Sequence, residues 1–314
     1  MVTKRTRGDL IFDCFNYLLL TALTLITLYP FVHVVAGSIS GPGTLIGHKG
    51  ALLWPKGTPT LKAFALVFRN PNIITGYKNT LIVLLVATTL NIVMTSLGAY
   101  VLSRPQFAIR KVMMFLIVFT MYFSGGMVPN FLTISAYGMY NTAWAMIPRY
   151  LFLKNYLGMG DHLGSLIIPG AISAYNLIIM RTAFASVPAS LEESARIDGA
   201  NDFTILFRII LPLSMATVAV MILFYGVGHW NAWFDAMIFL RTREKYPLQL
   251  ILREILVNNS TESMTMGAAA DDVEQLSDNL KYATIVVATL PILCVYPLIQ
   301  KHFVKGVMIG AVKG

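Results

Sequence analysis

Long apolar stretches separated by short polar connections dominate the chain. A single α-helix needs roughly 20 predominantly apolar residues to cross a bilayer core about 30 Å thick. Six stretches meet this length and predict six membrane-spanning helices, at residues 11–36, 80–102, 112–133, 165–184, 205–227 and 283–303. A seventh stretch, 144–157, contains Pro148, Arg149 and Lys154, so we expect an interfacial helix or loop there. The predicted fold class is all-α, a polytopic membrane protein with six transmembrane helices.

The short flanks of these helices predict their orientation, because Lys and Arg accumulate on the cytoplasmic side of short connections. Basic residues flank span one, the second connection and span six: Lys4, Arg5, Arg7, Arg104, Arg110, Lys111, Lys301, Lys305 and Lys313. Longer loops weigh less, since they translocate largely regardless of charge. We therefore expect a cytoplasmic N-terminus at 1–10, a transmembrane domain at 11–303 and a cytoplasmic tail at 304–314. The connection 185–208 should be cytoplasmic and the connection 228–282 external.

Composition supports a membrane protein. Of the 314 residues, 56% are hydrophobic and 12% are charged, whereas about a quarter are charged in soluble domains. The net charge of +9 is scattered between apolar runs without a basic face, which argues against nucleic-acid binding. Cys14 and Cys294 lie in apolar segments near the two ends of the chain. We expect them to be buried and to form neither a disulfide framework nor a metal site.

Motifs for catalysis or ion coupling are missing from the sequence. It has no G-x-x-x-x-G-K-[ST] stretch, so we expect no ATP site and no catalytic residue on this chain. The histidines show no metal-ligand spacing, so no metal site is expected: His33, His48, His162, His229 and His302. Asp13 is the one acidic residue within the six spans. A proton-coupled carrier would normally hold ionisable groups at membrane depth, and is therefore disfavoured.

The connection at 187–212 has the pattern of a helix, a turn and a second helix. Ser190 and Glu193 have capping-box spacing, which predicts a helix that begins at Leu191. Asp198-Gly199 predicts its end, since Gly readily adopts the left-handed conformation that closes a helix. The expected helix has about eight residues and is roughly 12 Å long. Its small residues Ser194 and Ala195 leave one side slim enough to enter a cleft on another protein.

The same connection resembles the EAA loop of ABC importer permeases. The resemblance rests on Glu193-Ser194-Ala195, Gly199, Ile209 and Leu211-Pro212 at fixed spacing, with Ser194 where the family usually has Ala. It implies a type I ABC importer permease fold, in which this loop forms a coupling helix that docks into a groove of the ATPase subunit. The coupling residues would be Ser190, Glu192, Glu193, Ser194, Ala195, Asp198, Gly199 and Ala200. We expect Glu193 to cap and orient the helix and Gly199 to permit the turn.

The C-terminal sequence resembles that of the maltose-type second permease of carbohydrate importers. In that relative the tail enters the ATPase dimer, which implies ATPase contacts for Gly310, Lys313 and Gly314. The alternative is a Gly-rich tail held at the membrane surface by lysine. This branch implies an oligosaccharide substrate and a bacterial cell-membrane location. The implied partners are a second homologous permease, two ATPase subunits that bind ATP and Mg, and an extracellular solute-binding protein.

Neutral polar residues in or near the spans are candidates for a sugar pathway. They are Asn91, Tyr122, Asn176, Trp230 and Asn231. Such side chains can bind uncharged hydroxyls without burying a charge. The alternatives are hydrogen bonds between membrane helices and, for the Trp, anchoring at the interface. Two other functions stay open at this point: a permease for a non-sugar solute, and a membrane sensor or scaffold that transports nothing.

Overall fold

The computed structural model describes residues 7–48, 50–122, 161–168, 170–257, 277–295 and 297, and these residues contain no β-strand. The helices are α1 Arg7–Ser38, α2 Lys62–Arg69, α3 Pro71–Ser103, α4 Arg110–Tyr122, α5 Gly164–Ile167, α6 Ala174–Ala185, α7 Ala189–Ile197, α8 Asp202–Ile205, α9 Leu211–Leu213, α10 Met215–Asn231, α11 Phe234–Phe239, α12 Leu248–Val257 and α13 Ser277–Val295. A π-helical turn, Leu206–Ile210, joins α8 to α9, and a 3-10 turn, Arg243–Lys245, precedes α12. The predicted helical class is confirmed for this part of the chain.

Three helices among the described residues are long and apolar enough to cross a membrane: Gly8–Ser38, Pro71–Ser103 and Ser277–Val295. They overlap the first, second and sixth predicted spans, and residues 298–303 of the sixth lie outside the described residues. Span three corresponds to α4 as far as Tyr122, and its remainder lies outside the described residues, as does the interfacial segment predicted at 144–157. The prediction of six spans is therefore neither confirmed nor contradicted.

The second span begins earlier in the structure than hydropathy predicts. Asn70 precedes α3 and its Oδ1 accepts a hydrogen bond from the Asn72 amide at 2.9 Å. Pro71 then occupies the first helical position, where its missing N–H costs nothing and its fixed φ favours the helix. The Asn-Pro pair thus determines where α3 starts. Hydropathy places the start later because the first residues of the helix include polar ones, which do not belong to the apolar run.

The prediction of a continuous fourth span at 165–184 is wrong. Helix α5 ends at Ile167 and α6 begins at Ala174. Ser173 has extended backbone angles, and its hydroxyl accepts a hydrogen bond from the Asn176 amide. This is an N-cap, which starts a new helix rather than continuing an old one.

The fifth span is also broken. Asp202–Leu213 and Met215–Asn231 are bent by 87° relative to each other at Ser214. Pro212 has no N–H to donate within the helix, and the π-helical turn before it is closed by the Leu211 amide bonding the Leu206 carbonyl. The helix predicted at 205–227 is therefore interrupted at Ser214, since the apolar run is continuous while the backbone hydrogen bonding is not.

The chain forms two compact units. The first contains Met1–Ile73 and Leu252–Pro291. In it, the Nδ2 of Asn279 donates to the carbonyls of Gly37 and Ser40, both at 3.0 Å. A Cβ on Gly37 would lie 2.6 Å from the Tyr282 ring, so glycine is needed for this close approach of α1 to α13.

The second unit contains Ile74–Ile251 and Ile292–Gly314. Its core joins α3, α6, the π-helical turn and α10. The side chains at its centre are almost fully buried: Ala99, Met180, Phe184, Ile205, Ile210 and Met221. All the site residues described below belong to this unit.

Helix α1 exposes its apolar side chains over most of its length, as far as Phe31. Ile11, Phe12 and Tyr17 are between 67% and 72% exposed, and none of the most apolar stretch of α1 is buried. An apolar surface of this length is unfavourable in water and suits a lipid environment. Cys14 and Cys294 are also exposed free thiols, so the expectation that they are buried is wrong.

Candidate functional site

Helix α7 is the short helix of the connection 185–208. It begins at Ala189, directly after Pro188, and no side chain caps its first turn. The predicted capping box of Ser190 and Glu193 is therefore wrong: Ser190 lies inside the helix and Glu193 is exposed in its second turn. Pro188 occupies the N-cap position of α7. The helix therefore begins at Ala189, two residues before the predicted start at Leu191.

The end of α7 agrees with the sequence prediction. Gly199 has a φ of +82°, its amide donates to the Arg196 carbonyl at 3.1 Å, and the Ala200 amide donates to the Ala195 carbonyl at 2.9 Å. These two bonds form a Schellman motif, which terminates a helix with a left-handed residue. Asn201 then caps the next helix by accepting a hydrogen bond from the Thr204 amide at 2.8 Å. The turn between the two helices is thus rigidly defined.

One side of α7 is buried. Glu192 and Ala195, three residues apart, are 6% and 8% exposed, as expected for neighbours on one helix face. Glu192 Oε2 lies 2.5 Å from Nη1 of Arg104, which follows α3, and its Oε1 lies 3.0 Å from Nη2 of Arg196. Removing one partner of such a buried ion pair typically costs about 3–5 kcal/mol, because the remaining charge is left without compensation.

Two further groups complete this ion-pair cluster of Tyr100, Arg104, Glu192, Arg196 and Asp202. Arg196 also contacts Asp202 Oδ1 at 2.6 Å. The Tyr100 hydroxyl lies 3.3 Å from the carboxylates of both Glu192 and Asp202, and it can donate its single proton to either one. Hydrogen bonding to Glu192 and the charge of Asp202 raise the pKa of the Arg196 guanidinium above its ordinary value. The cluster contains two cations and two anions and is therefore electrically balanced.

The opposite side of α7 is open. Leu191, Glu193, Ser194 and Ile197 are exposed, and Ile197 is 86% exposed. A large apolar side chain in so exposed a position, beside a carboxylate and a small hydroxyl, forms a surface suited to a protein partner. Asp198 is exposed as well and occupies the C-cap of the helix.

The candidate pathway residues do not form one group. Asn91 is fully buried, and its Nδ2 donates to the Gly170 carbonyl at 2.5 Å while its Oδ1 lies 2.7 Å from His229 Nε2. Since a carbonyl can only accept, the Asn91 oxygen is the acceptor for His229 Nε2–H. These contacts favour the alternative of hydrogen bonding between segments for Asn91. The sequence does not predict the contact between His229 and Asn91, because it joins residues far apart in the chain.

The remaining candidates differ in exposure. Tyr122 is 74% exposed and Asn231 is exposed, with its Nδ2 donating to the Val227 carbonyl at 3.0 Å. Asn176 is buried in the first turn of α6. Trp230 is 5% exposed, with its ring 6.2 Å from that of Tyr77. Gly310, Lys313 and Gly314 lie outside the described residues.

A cavity of about 240 Å³ lies beside His229. Its lining combines polar side chains with small and apolar residues: Thr80, Val83, Leu166, Gly170, Gly228, His229, Ala232, Asp235, Ala236 and Pro247. Clefts for drug-sized ligands usually hold roughly 300–1,000 Å³. This cavity therefore suits a single ring-sized group rather than a chain.

Asp161 forms a second group of polar contacts, with residues 241–245, and does not line the cavity. Its Oδ1 accepts from the amides of Arg241 and Thr242, and its Oδ2 accepts from the Thr242 hydroxyl and from Lys245 Nζ. Burial raises the pKa of the carboxyl, but the hydrogen bonds from Thr242, Arg241 and Lys245 outweigh it and hold the pKa well below its usual range.

We expect Asp161→Asn to destabilise the protein by about 1–3 kcal/mol at neutral pH, since an amide cannot accept all of these bonds. The lowered folded pKa means that the ionised aspartate stabilises the fold above its unfolded pKa of about 4 and loses this effect as pH falls through the folded value. Thermal unfolding in detergent should therefore show the same deficit at pH 7.5 and pH 5.5. Asp278→Asn, which removes a single contact to Lys281 at 3.3 Å, is the control. A deficit that vanished at pH 5.5 would contradict this role.

No group of three or more His, Cys, Asp or Glu side chains that could hold a metal is found in the described segments. Sequence reasoning named Glu192 without a specific role and missed the ion-pairing roles of Tyr100, Arg104 and Asp202. The spacing of Glu192 and Arg196 at i and i+4 was an available signal. The partnership with Arg104 was not, because it joins residues far apart in the chain.

Comparison with known proteins places this geometry in context. Residues 92–309 match the family model of the binding-protein-dependent transport system inner membrane component. The chain is 39% identical to the polygalacturonan/rhamnogalacturonan transport system permease protein YtcP of Bacillus subtilis, over 97% of this chain and 99% of the relative. It is 28% identical to the B. subtilis maltodextrin transport system permease protein MdxG, over 95% of each. A crystal structure of a bacterial ABC transporter involved in the import of the acidic polysaccharide alginate matches at 31% identity and a TM-score of 0.77, over 96% of this chain and 100% of that one.

Proposed function

Because the chain belongs to the family of binding-protein-dependent transport system inner membrane components, we propose that it forms one half of the pore of an oligosaccharide importer driven by separate ATPase subunits. It is a membrane subunit of an ABC transporter. In the proposed complex, a second permease supplies the other half of the pore, an extracellular binding protein delivers the sugar, and the ATPases bind ATP and Mg.

The observation that carries this proposal is the two-sided character of α7. Its buried side is fastened to Arg104, which follows α3, by the Glu192 ion pair, and its other side offers Glu193, Ser194 and Ile197 to a partner. A short helix held this firmly at its base can transmit a displacement that is applied to its exposed side. We assign that exposed side to the ATPase groove, with Gly199 forming the turn that lets the helix lie across the end of the bundle.

Six spans, with both termini in the cytoplasm of a bacterial cell, are part of the proposal. The three long apolar helices, α4, α6 and the bent pair at Ser214 supply candidates for them. In this arrangement residues 185–208 face the ATPases, residues 228–282 face the binding protein, and the tail at 304–314 reaches the ATPase dimer. The basic flanks of the short connections support this orientation.

An oligosaccharide is the proposed substrate because the relatives named above carry polysaccharide or maltodextrin transport in their names. The cavity beside His229 would hold one sugar ring at a time. Its acceptor and donor groups, among them Thr80 and Asp235, suit hydroxyls.

We expect Gly228→Leu to reduce uptake at least tenfold by filling this cavity. A Cβ on Gly228 meets no atom of the described residues within 4 Å, so the first added carbon enters open space beside the cavity. Gly226→Leu is the matched control, since Gly226 has the same free space and does not line the cavity. Uptake would be measured with labelled oligogalacturonides, alginate oligosaccharides and maltodextrins. Equal uptake by the two variants would rule out the cavity as part of the pathway.

Co-purification tests the proposed function as a whole. The chain, tagged and extracted from its native membrane in mild detergent, should be recovered with a second six-span protein and two ATPase subunits. A membrane sensor or scaffold would be recovered without them. Recovery of the chain alone, from membranes in which ATP-driven sugar uptake is active, would contradict the proposal.

A further inference from the structure

We propose that the Arg104–Glu192 ion pair is the linkage through which α7 moves α3, so that the ATPases drive two membrane helices at once through this subunit. The inference rests on the proposed function. It adds a role for Arg104 and Glu192 as positioning residues that transmit force within the permease rather than contact the ATPase.

Arg104 is placed to join three segments. It follows the last residue of α3, and its Nη1 lies 2.5 Å from Glu192 on the buried side of α7. Its Nη2 donates to the Phe184 carbonyl near the end of α6 at 3.4 Å. Its guanidinium also lies over the Tyr100 ring, 4.8 Å from the centroid. A displacement of α7 must therefore either move Arg104 with it or break the contact between Arg104 and Glu192.

The environment of this pair makes breaking it unfavourable. The Arg104 and Glu192 side chains are only 13% and 7% exposed. The Nε of Arg104 is buried and has no hydrogen-bond partner in the described part of the chain, so Glu192 is the carboxylate that compensates this charge. A buried charge without a partner is strongly disfavoured. The pair therefore behaves as a stiff connection between α3 and α7.

Helix α3 is tied to α10 as well. The Thr95 hydroxyl and the Tyr225 hydroxyl are 2.7 Å apart in a buried position, and Asn91 Oδ1 accepts from His229 Nε2 at the same distance. Because α10 follows α7 through the segment Asp202–Leu213 and the bend at Ser214, the three helices form a closed frame. One side of the frame is the covalent chain and the other is the ion pair.

The frame explains why a short surface helix can move a membrane bundle. Force applied to α7 reaches α10 along the chain, around the 87° bend at Ser214. The Arg104–Glu192 pair supplies a second route that enters α3 directly. With both routes intact, α3 and α10 move together; without the ion pair, α7 can move while α3 stays behind.

The test measures sugar uptake per ATP hydrolysed in the complete transporter, reconstituted in liposomes with its binding protein. Arg104→Gln and Glu192→Gln should each lower this ratio at least tenfold while the ATPases still co-purify. The reversed pair, Arg104→Glu with Glu192→Arg, should recover most of the ratio. Arg196→Gln is the matched control: it removes the more exposed contacts of Arg196 to Glu192 and Asp202, both within residues 192–202, and leaves Arg104 in place, so the ratio should stay near that of the wild type.

The outcomes separate this inference from the proposed function. Single variants with a wild-type ratio would overturn the linkage and leave the permease assignment intact, as would variants that no longer retain the ATPases. If the single variants do not accumulate in the membrane, the reversed pair decides: a near-wild-type ratio supports the linkage, and a low ratio in a stable complex contradicts it. A wild-type chain that binds no ATPase would instead refute the proposed function.

Discussion

Replacing Gly199 with valine is expected to reduce sugar uptake at least tenfold while the protein remains in the membrane. Gly199 has a φ of +82°, and a Cβ there would meet no atom within 4 Å. The penalty is therefore backbone strain, about 1–2 kcal/mol for a left-handed residue with a side chain and greater for a β-branched one. Roughly 1.4 kcal/mol changes a population tenfold, so the Schellman turn would often be open and α7 would lose its fixed direction.

Gly199→Asn is the matched control, because Asn tolerates the left-handed region far better than valine does. Uptake and ATP hydrolysis should be measured together in membrane vesicles, with protein levels checked by immunoblot. Valine should lower uptake more than hydrolysis, and asparagine should leave both close to normal. Normal transport by the valine variant would show that the turn at Gly199 has no part in coupling.

Ile197→Asp should abolish recovery of the ATPases with the permease. Ile197 is 86% exposed on α7, and burying a charge without a partner in an apolar groove is strongly unfavourable. Truncation of a central apolar contact commonly costs 2 kcal/mol or more in binding, and a charge should cost more. Affinity purification of the tagged permease, followed by quantification of the bound ATPase, gives the measurement.

Ile197→Leu serves as the control for this second experiment, since it keeps the apolar surface and the helical preference. It should bind the ATPase as the wild type does. Because Ile197 makes no core contact, thermal unfolding of the isolated permease should be almost unchanged in both variants. Full ATPase recovery with Ile197→Asp would mean that the partner grips another surface.

The parts of the fold that the sequence predicts well are those governed by continuous composition. Helices α1 and α3 and the last long helix follow from apolar runs that match the bilayer thickness. The breaks at Ser173 and Ser214 were missed, because a hydropathy window averages over single residues that start or bend helices. Ser173 and Pro212 are visible in the sequence. Whether they end or bend a helix depends on which backbone hydrogen bonds form around them, and the sequence does not show this.

The site shows the same division. The glycine stop of α7 was predictable because a left-handed residue is a local requirement that glycine meets best. Its start was not, since Ser190-x-x-Glu193 and Pro188 were competing signals and the proline prevailed. The buried ion pair of Arg104 and Glu192 depends on tertiary packing. The sequence alone therefore indicates only that Arg104 belongs to a basic flank.

Cross-linking at position 193 determines on which side of the membrane α7 lies and whether its exposed side contacts an ATPase. Glu193→Cys would be introduced into a Cys14→Ser and Cys294→Ser background, which removes both native thiols. We predict that this cysteine reacts with a membrane-impermeant thiol reagent only from the cytoplasmic side, and that a short cross-linker joins it to an ATPase subunit. Labelling from outside intact cells, with no adduct to any nucleotide-hydrolysing partner, would contradict it.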